Sequence, residues 1–258
     1  MRPPFSLLPA VALLATAAAL PAQSITGFVV DAQGQPVFGV DIDVENQGSG
    51  GDPDLTSDGT DVNGFFNTTV TPGGTFDIIF NPAPPNLITT VPDVTVAGVT
   101  NMGTVELLQG VIMSGRCVDA LGTPLAGINI DVIDLATGDN LDLLGDVSDA
   151  FGAFSLAVPI GNLELRFDAT PVTFKTVASV AFERVTTADF DLGDVVFPDG
   201  FRITTVVQKP GGLPVVNADT DVADVATGQT LYTPKDNTSA SGLVSVVVAA
   251  GTYEFEIC

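Results

Sequence analysis

One stretch of sequence occurs three times in this chain, and the repetition limits the folds that the chain can adopt. The three copies are Ile25–Val44, Met113–Val132 and Ile203–Val222. Their turn residues recur at a nearly constant spacing, as in Gly34, Gly122 and Gly212, in Pro36, Pro124 and Pro214, and in Gly64, Gly152 and Gly242. A spacing kept over so many turn positions indicates a structural repeat of about ninety residues.

The apolar residues within each copy follow the pattern of short β-strands. In Val40–Glu45 aliphatic side chains alternate with carboxylates, and Ile128–Val132 repeats the alternation with Asn and Asp. A period of two places one set in a core and the other in water. Gly- and Pro-containing turns separate about seven such strands in each copy. The sequence therefore predicts an all-β chain of tandem seven-stranded antiparallel β-sandwiches.

The repeat also divides the chain. We expect sandwiches at residues 24–110 and 111–200, and an incomplete one at 201–258. The third copy reaches Cys258 without a counterpart of the last strands, which would expose a sheet edge and part of a core. This pattern favours a fragment or a truncated reading frame, and it leaves open a third sandwich that a partner completes or that is only partly stable.

The N-terminus has the composition of a secretory signal peptide over residues 1–22. Arg2 supplies the positive start and Leu7–Ala19 the apolar core, and small residues precede the expected cleavage after Ala22, with a site after Ala19 as the alternative. The apolar run is too short for a good membrane span. We therefore expect a protein that is secreted or held at the cell surface, without a membrane span.

Charge and the lack of histidine exclude several functions. The chain has 8 Lys and Arg against 31 Asp and Glu, a net charge of -23, so nucleic acid and anionic membranes would repel it. Without histidine there is no Ser-His or Cys-His nucleophile pair and almost no scope for catalytic zinc. We expect no catalytic residue, no cofactor and no metal ligand, although carboxylate-only hydrolysis of the glycosidase type stays open. The exposed alternation of Asp41, Asp43 and Glu45 argues against such a carboxylate pair.

The motifs together resemble the carboxypeptidase regulatory-like domain, a transthyretin-like sandwich grouped with the carbohydrate-binding-like folds. The resemblance covers essentially residues 24–258. It rests on scaffold positions, namely Gly34, Pro36, Gly39, Gly64, Phe66 and Gly103, with Gly122, Pro124, Gly127, Gly152, Phe154 and Gly193 in the second copy. It implies an accessory, surface or adhesion module, with starch-type polysaccharide binding in some fold relatives, and it brings no catalytic residue to this chain.

Some related surface sandwiches form a Lys–Asn isopeptide bond from a lysine on the first strand. Asp31 and Asp119 stand where the third copy has Lys209. At most the third copy therefore has the required lysine, and we do not expect the bond.

Two acidic loops are candidates for a metal site, and the second, Asp134–Asp149, is less dense in carboxylates than the stretch Asp52–Asp61 of the first. The first spans Gly48–Gly64 and carries Asp52, Asp54, Asp58, Asp61 and Asn63. Clustered carboxylates suit calcium, but the spacing is not that of an EF-hand and the long acidic arm is missing. Asp61 also belongs to the repeated turn, where Asp can cap its own backbone. We expect a solvated loop and leave calcium binding between Asp52 and Asp61 open.

Aromatic residues offer little for a polysaccharide site, which needs exposed rings. The chain has no Trp, and its Phe residues are expected mostly at inward or turn positions. Tyr253 shares the inward register of its strand, so Tyr232 is the better candidate for an exposed ring. Cys117 and Cys258 are expected to be unpaired, with a disulfide between them left open.

These observations favour a non-catalytic, exported β-sandwich repeat that acts as a spacer, an adhesive surface or an accessory module. Its partner would be an extracellular protein or a polysaccharide. The alternatives are a carbohydrate-binding module and the accessory region of a secreted peptidase. Asn67 and Asn237 match the glycosylation acceptor pattern, but the signal peptide looks bacterial, so we do not expect them to be used.

Overall fold

All regular secondary structure in the described part of the chain is β-strand, which confirms the all-β class. The computed structural model describes residues 23–46, 55, 57–70, 74–170, 172 and 175–258, so the predicted signal peptide lies outside it. The strands are β1 (Gln23–Val30), β2 (Asp41–Asn46), β3 (Phe65–Val70), β4 (Gly74–Asn81), β5 (Thr89–Val96), β6 (Val99–Glu106), β7 (Val111–Asp119), β8 (Asn129–Asp134), β9 (Ala153–Val158), β10 (Gly161–Asp168), β11 (Val180–Thr186), β12 (Phe190–Phe197), β13 (Phe201–Val206), β14 (Thr220–Asp224), β15 (Leu243–Val248) and β16 (Tyr253–Ile257).

Strands β1–β6, here called the first unit, form two three-stranded sheets. Their orders are β3-β1-β6 and β2-β4-β5. β1 pairs antiparallel with β3 and parallel with β6, while β4 pairs antiparallel with both of its neighbours. The inner faces of the two sheets share one core, in which the rings of Phe66 and Phe80 meet edge to face with centroids 5.5 Å apart. The first unit is therefore a sandwich.

Strands β7–β12, the second unit, repeat this topology. The sheet orders are β12-β7-β9 and β11-β10-β8, and β7 again pairs parallel with the last strand of its unit. The core again joins both sheets. Phe167 on β10 lies 5.7 Å from Phe154 on β9 and 6.4 Å from Phe197 on β12, between ring centroids. The repeated sequence thus produces a repeated strand order.

Two details of the prediction need correction. Each of these units has six named strands in its described residues rather than seven, and the pairing of its first and last strands is parallel. In the second unit, the chain between β8 and β9 makes only isolated bridges to β8, Ile133 to Asn140 and Asn129 to Val147. Gly145, with a φ of 77°, turns the backbone between the two bridges, so no continuous ladder forms.

Strands β13–β16, the third unit, form two two-stranded sheets, β13-β15 and β14-β16. The buried core is small and consists of Val222, Val244, Val246 and Val248. In the described residues, its sheets and core are therefore smaller than those of the other two units. The boundaries at 24–110, 111–200 and 201–258 stay predictions.

The predicted alternation is confirmed on β2. Ile42 and Val44 are buried in the first core, whereas Asp41, Asp43 and Glu45 are exposed. The side-chain amide of Asn81 donates a hydrogen bond to Asp43 at 2.6 Å. Among the described residues, no helix is long and apolar enough to cross a membrane.

Candidate functional site

The aspartates that recur with the repeat hold turns together. Oδ1 of Asp61 accepts hydrogen bonds from the backbone N–H groups two and four residues later, at 2.8 and 3.0 Å. Asp31, Asp119 and Asp149 do the same in their own turns, and the hydroxyl oxygen of Ser239 takes this role in the third unit. The expectation that Asp61 caps its own backbone is therefore confirmed.

The first acidic loop lies partly outside the described residues, because Asp52 and Asp54 are not among them. In the described part of the chain, no group of three or more Asp, Glu, His or Cys residues is placed to hold a metal ion. Asp58 lies near Asp41, whose pKa is raised by partial burial first and by Asp43 and Asp58 next. Calcium binding between Asp52 and Asp61 stays a hypothesis.

Asp119 is also half of a buried ion pair that the sequence did not predict. Nζ of Lys175 lies 2.9 Å from Oδ2 of Asp119, whose side chain is only 4% exposed, and 2.9 Å from Oδ1 of Asp199. The Lys175 hydrogen bond and then the Thr123 N–H lower the pKa of Asp119 to about 2. The pair ties the end of β7 to the segment before β11 and to the residues that follow β12.

Tyr232 is less exposed than the sequence predicted. It is half-buried, its ring lies 5.4 Å from the guanidinium carbon of Arg166, and its hydroxyl donates to Oδ2 of Asp131 at 3.3 Å. Burial first, and the charge of Asp131 next, raise the pKa of this hydroxyl. One face of the Tyr232 ring in the third unit is thus in contact with Arg166 of the second unit. Tyr253 packs against the third core, as its inward register predicted.

Tyr232 belongs to a cleft of about 1110 Å³ between the second and third units. Glu164, Arg166 and Glu183 line the wall formed by β10 and β11. Asp221 and Asp224 of β14 line the opposite side. Carboxylates outnumber the single arginine, so the cleft does not suit an anionic ligand.

A pair of exposed aromatic rings, which the sequence did not predict, lies on the outer face of the first unit. Phe28 on β1 and Phe65 on β3 are direct cross-strand partners, 46% and 37% exposed, with ring centroids 5.3 Å apart. The equivalent partners are Arg116 and Ala153 in the second unit and Val206 and Leu243 in the third. The paired rings are therefore specific to the first unit.

The segments that join consecutive units are fixed by backbone hydrogen bonds. At the first junction, Leu87 N–H donates to Leu108 and Gly110 N–H donates to Pro85, at 2.9 and 2.8 Å. The second junction repeats the arrangement at 3.0 Å, from Ala178 to Pro198 and from Gly200 to Thr176.

Each junction also brings a glycine against the next unit. A Cβ on Gly110 would lie 2.6 Å from the carbonyl oxygen of Val158 on β9 and 2.7 Å from the Leu87 side chain. A Cβ on Gly200 would lie 2.5 Å from the side chain of Val247 on β15. Only a residue without a side chain allows these approaches.

A second set of contacts joins the second and third units. Nζ of Lys235 donates to Oγ1 of Thr170 at 2.8 Å and lies 3.8 Å from Oδ2 of the buried Asp168. Lys175, Arg202 and Lys235 line a cavity of about 180 Å³ there. Lys235 faces a carboxylate across the two units, whereas the carboxylates that Lys175 faces, Asp119 and Asp199, belong to its own unit.

No protein-family model matches this chain, and no curated protein sequence matches it. Among solved structures, the Bacillus anthracis TIE protein aligns over 92% of this chain and 45% of its own, with 14% identity and a TM-score of 0.29. The shaft pilin SpaA from Lactobacillus rhamnosus GG aligns over 73% of this chain and 100% of its own, with 12% identity and a TM-score of 0.31. A streptococcal ancillary pilin aligns over 92% and 90%, with 11% identity and a TM-score of 0.30. At these values no function or residue role is carried over to this chain.

Proposed function

We propose that this chain is a non-catalytic, exported β-sandwich repeat protein of the carboxypeptidase regulatory-like type, and that it acts as a surface spacer. Its task is then geometric: it holds exposed loops and sheet faces at fixed positions relative to one another. The acidic surface, with a net charge of -23, keeps such a protein soluble.

The observation that carries this proposal is the construction of the two junctions. Both linkers donate backbone hydrogen bonds to the preceding unit, and both place a glycine in close contact with the following unit. A flexible linker between independent domains would need neither feature. The same device at both junctions supports a chain whose units keep one relative orientation.

The test is a distance measurement between the first and second units. Spin labels are placed at Val62→Cys and Phe151→Cys, two exposed turn positions, in a Cys258→Ser background in which the buried Cys117 stays unlabelled. We expect a single narrow distance distribution from pulsed electron paramagnetic resonance. A broad distribution in the unmodified junction would refute the spacer proposal.

Gly110→Ala should broaden that distribution, because its Cβ would contact Val158 and Leu87. Gly161→Ala is the matched control, since a Cβ there meets nothing within 4 Å. Broadening with Gly161→Ala as well would show that the effect does not come from the junction.

A second candidate function is carbohydrate binding, and the exposed Phe28–Phe65 pair favours it. Sugar rings stack on aromatic faces that are open to solvent, and these two rings are the exposed cross-strand aromatic pair of the described structure. The test is retention of the chain on a panel of insoluble polysaccharides, with calcium and with chelator.

Phe28→Ala should abolish retention if the pair binds a glycan. Val206→Ala, which changes an exposed apolar residue at the equivalent place in the third unit, should leave it intact. Equal retention of all variants would rule out the pair as the binding site. If retention were lost only in the presence of chelator, the Asp52–Asp61 loop would be the candidate calcium site.

A further inference from the structure

One face of the first unit carries no charge, although the chain has a net charge of -23. It is the outer face of the sheet β3-β1-β6. Alternate side chains of β1 and β3 lie in the first core, so the residues between them point outward. Strand pairing places the outward residues in rows across the sheet, which we call the uncharged face: Thr69, Ser24 and Val99; Asn67, Thr26 and Asn101; and Phe65, Phe28 and Thr104.

The sequence around this face is acidic. Residues 23–110 contain Asp and Glu but no Lys, Arg or His. On the other sheet of the unit, Asp41, Asp43 and Glu45 are exposed on β2. On β6 the first charged residue is Glu106, which pairs with Val30 beyond the row of the two rings. Two copies that met through carboxylates would repel each other, whereas two uncharged faces can meet without direct repulsion.

The second unit shows that the fold does not require an uncharged face. Arg116 on β7 and Asp194 on β12 stand where the first unit has Phe28 and Thr104. They form an exposed ion pair at 2.9 Å. The strand order is the same in both units. The aromatic and uncharged character of the face is therefore specific to the first unit, and the fold does not account for it.

The uncharged face combines apolar surface with neutral polar groups. The rings of Phe28 and Phe65 are exposed, with centroids 5.3 Å apart, and Val99 is exposed at the other end of the face. Thr26 and Asn67 lie between them as cross-strand partners. Their hydroxyl and amide groups can exchange hydrogen bonds with a partner, and no charge has to lose its water. A second uncharged face meets all of these conditions.

From these observations we propose that two copies of this chain associate through the uncharged face. The two sheets pack face to face, and the contact is isologous, so the rings of each copy lie against the other copy. The three strands cover roughly 14 by 20 Å, far less than the area of a permanent dimer. The association is therefore weak, with a dissociation constant on the order of 100 μM. It is distinct from the spacer role, so either can fail alone.

The test is sedimentation velocity of the chain from Gln23 onward, without any glycan. Cys258→Ser is included because an exposed thiol could link two copies by a disulfide. Dimer should replace monomer as the protein concentration rises through about 100 μM. Added salt should strengthen the association, because it screens the repulsion between two acidic chains. An interface held by ion pairs would weaken instead.

Substitutions at Thr26 locate the contact. Thr26 lies on the middle strand and in the middle row, so a two-fold axis through the centre of the face brings it close to its own counterpart. Thr26→Glu and Thr26→Lys should each stay monomeric, whereas an equimolar mixture should associate because opposite charges then face each other. Ser114→Glu, at the equivalent place in the second unit, is the matched control and should dimerise like the parent chain.

Phe28→Ala is an independent variant that adds no charge. It should weaken the association by about a hundredfold, because a symmetric contact loses the ring twice. Circular dichroism checks that each variant is folded. A parent chain that stays monomeric up to about 500 μM would overturn the proposal, and retention of that monomer on a polysaccharide would assign the rings to a glycan. Dimers that persist in Thr26→Glu and Phe28→Ala would also overturn it, because the contact would then lie elsewhere.

Discussion

Replacing Gly152 with alanine should destabilise the second unit far more than a typical turn substitution. Gly152 adopts a φ of 75°, and its carbonyl oxygen accepts a hydrogen bond from the Cys117 N–H at 2.7 Å. An alanine Cβ would overlap the carbonyl oxygen of Cys117 and lie 3.2 Å from the backbone nitrogen of Leu125. The turn and β7 would have to move apart.

The magnitude follows from two contributions. A left-handed conformation costs an alanine about 1 kcal/mol relative to glycine. Overlap with a fixed backbone atom in a packed region adds about 2 kcal/mol more. Gly122 has a φ of 81° but open space around its Cβ position, so Gly122→Ala carries only the first cost. The two variants should therefore differ by about 2 kcal/mol in the free energy of unfolding.

Cys117 provides the assay, because it is fully buried on β7 and burial raises the pKa of its thiol to about 12. In a Cys258→Ser background, alkylation of Cys117 reports opening of the second unit. The alkylation rate should rise roughly 150-fold with Gly152→Ala and roughly fivefold with Gly122→Ala. Gly64→Ala, which creates the same overlap in the first unit with the carbonyl of Val29, should leave the Cys117 rate unchanged.

Equal acceleration by Gly152→Ala and Gly122→Ala would refute the reasoning. It would mean that the left-handed backbone conformation accounts for the whole loss of stability. The contact between a Cβ at position 152 and the carbonyl of Cys117 would then add nothing to that loss. An effect of Gly64→Ala on Cys117 would show instead that the units unfold together.

Three other measurements test the core packing, the Asp119–Lys175 ion pair and the burial of Tyr232. Leu165→Ala should lower the free energy of unfolding by about 3 kcal/mol, because it leaves a cavity in a filled core. Phe255→Ala, at the equivalent but exposed place in the third unit, should lower it by less than about half of that. Denaturant unfolding of both variants tests this difference. Asp119→Asn keeps an oxygen to cap the turn but loses the charge that faces Lys175. Folding lowers the pKa of Asp119 to about 2, so the contribution of its charge to folding stability is complete above about pH 4 and is lost as the pH falls toward 2. The stabilities of the wild-type chain and of Asp119→Asn should therefore converge over that range, as followed by circular dichroism. Tyr232→Phe should remove a late phase from an ultraviolet pH titration, because burial raises the pKa of Tyr232.

Local patterns in the sequence predicted local features well. The alternation in Val40–Glu45 predicted which side chains of β2 are buried, and the repeated Asp61 predicted a capped turn. These features depend on residues within a few positions of one another, so period and turn chemistry are sufficient to recognise them.

Features that depend on sheet order could not be predicted in the same way. Phe28 and Phe65 are adjacent only because β1 and β3 are neighbours, and Tyr232 meets Arg166 only because two units are in contact. The partner of the buried Asp119 is a lysine 56 residues away. A local sequence pattern cannot indicate contacts between residues so far apart in the chain. For that reason neither the exposed rings nor the ion pair could be predicted.

The parallel pairing of the first and last strands determines how the first and second units carry mechanical load. Because β1 and β6 run in the same direction, a pull on the two ends of the first unit draws the strands past each other, and all their hydrogen bonds share the force together. β7 and β12 repeat this arrangement in the second unit. Both of these units should therefore resist tension applied along the chain.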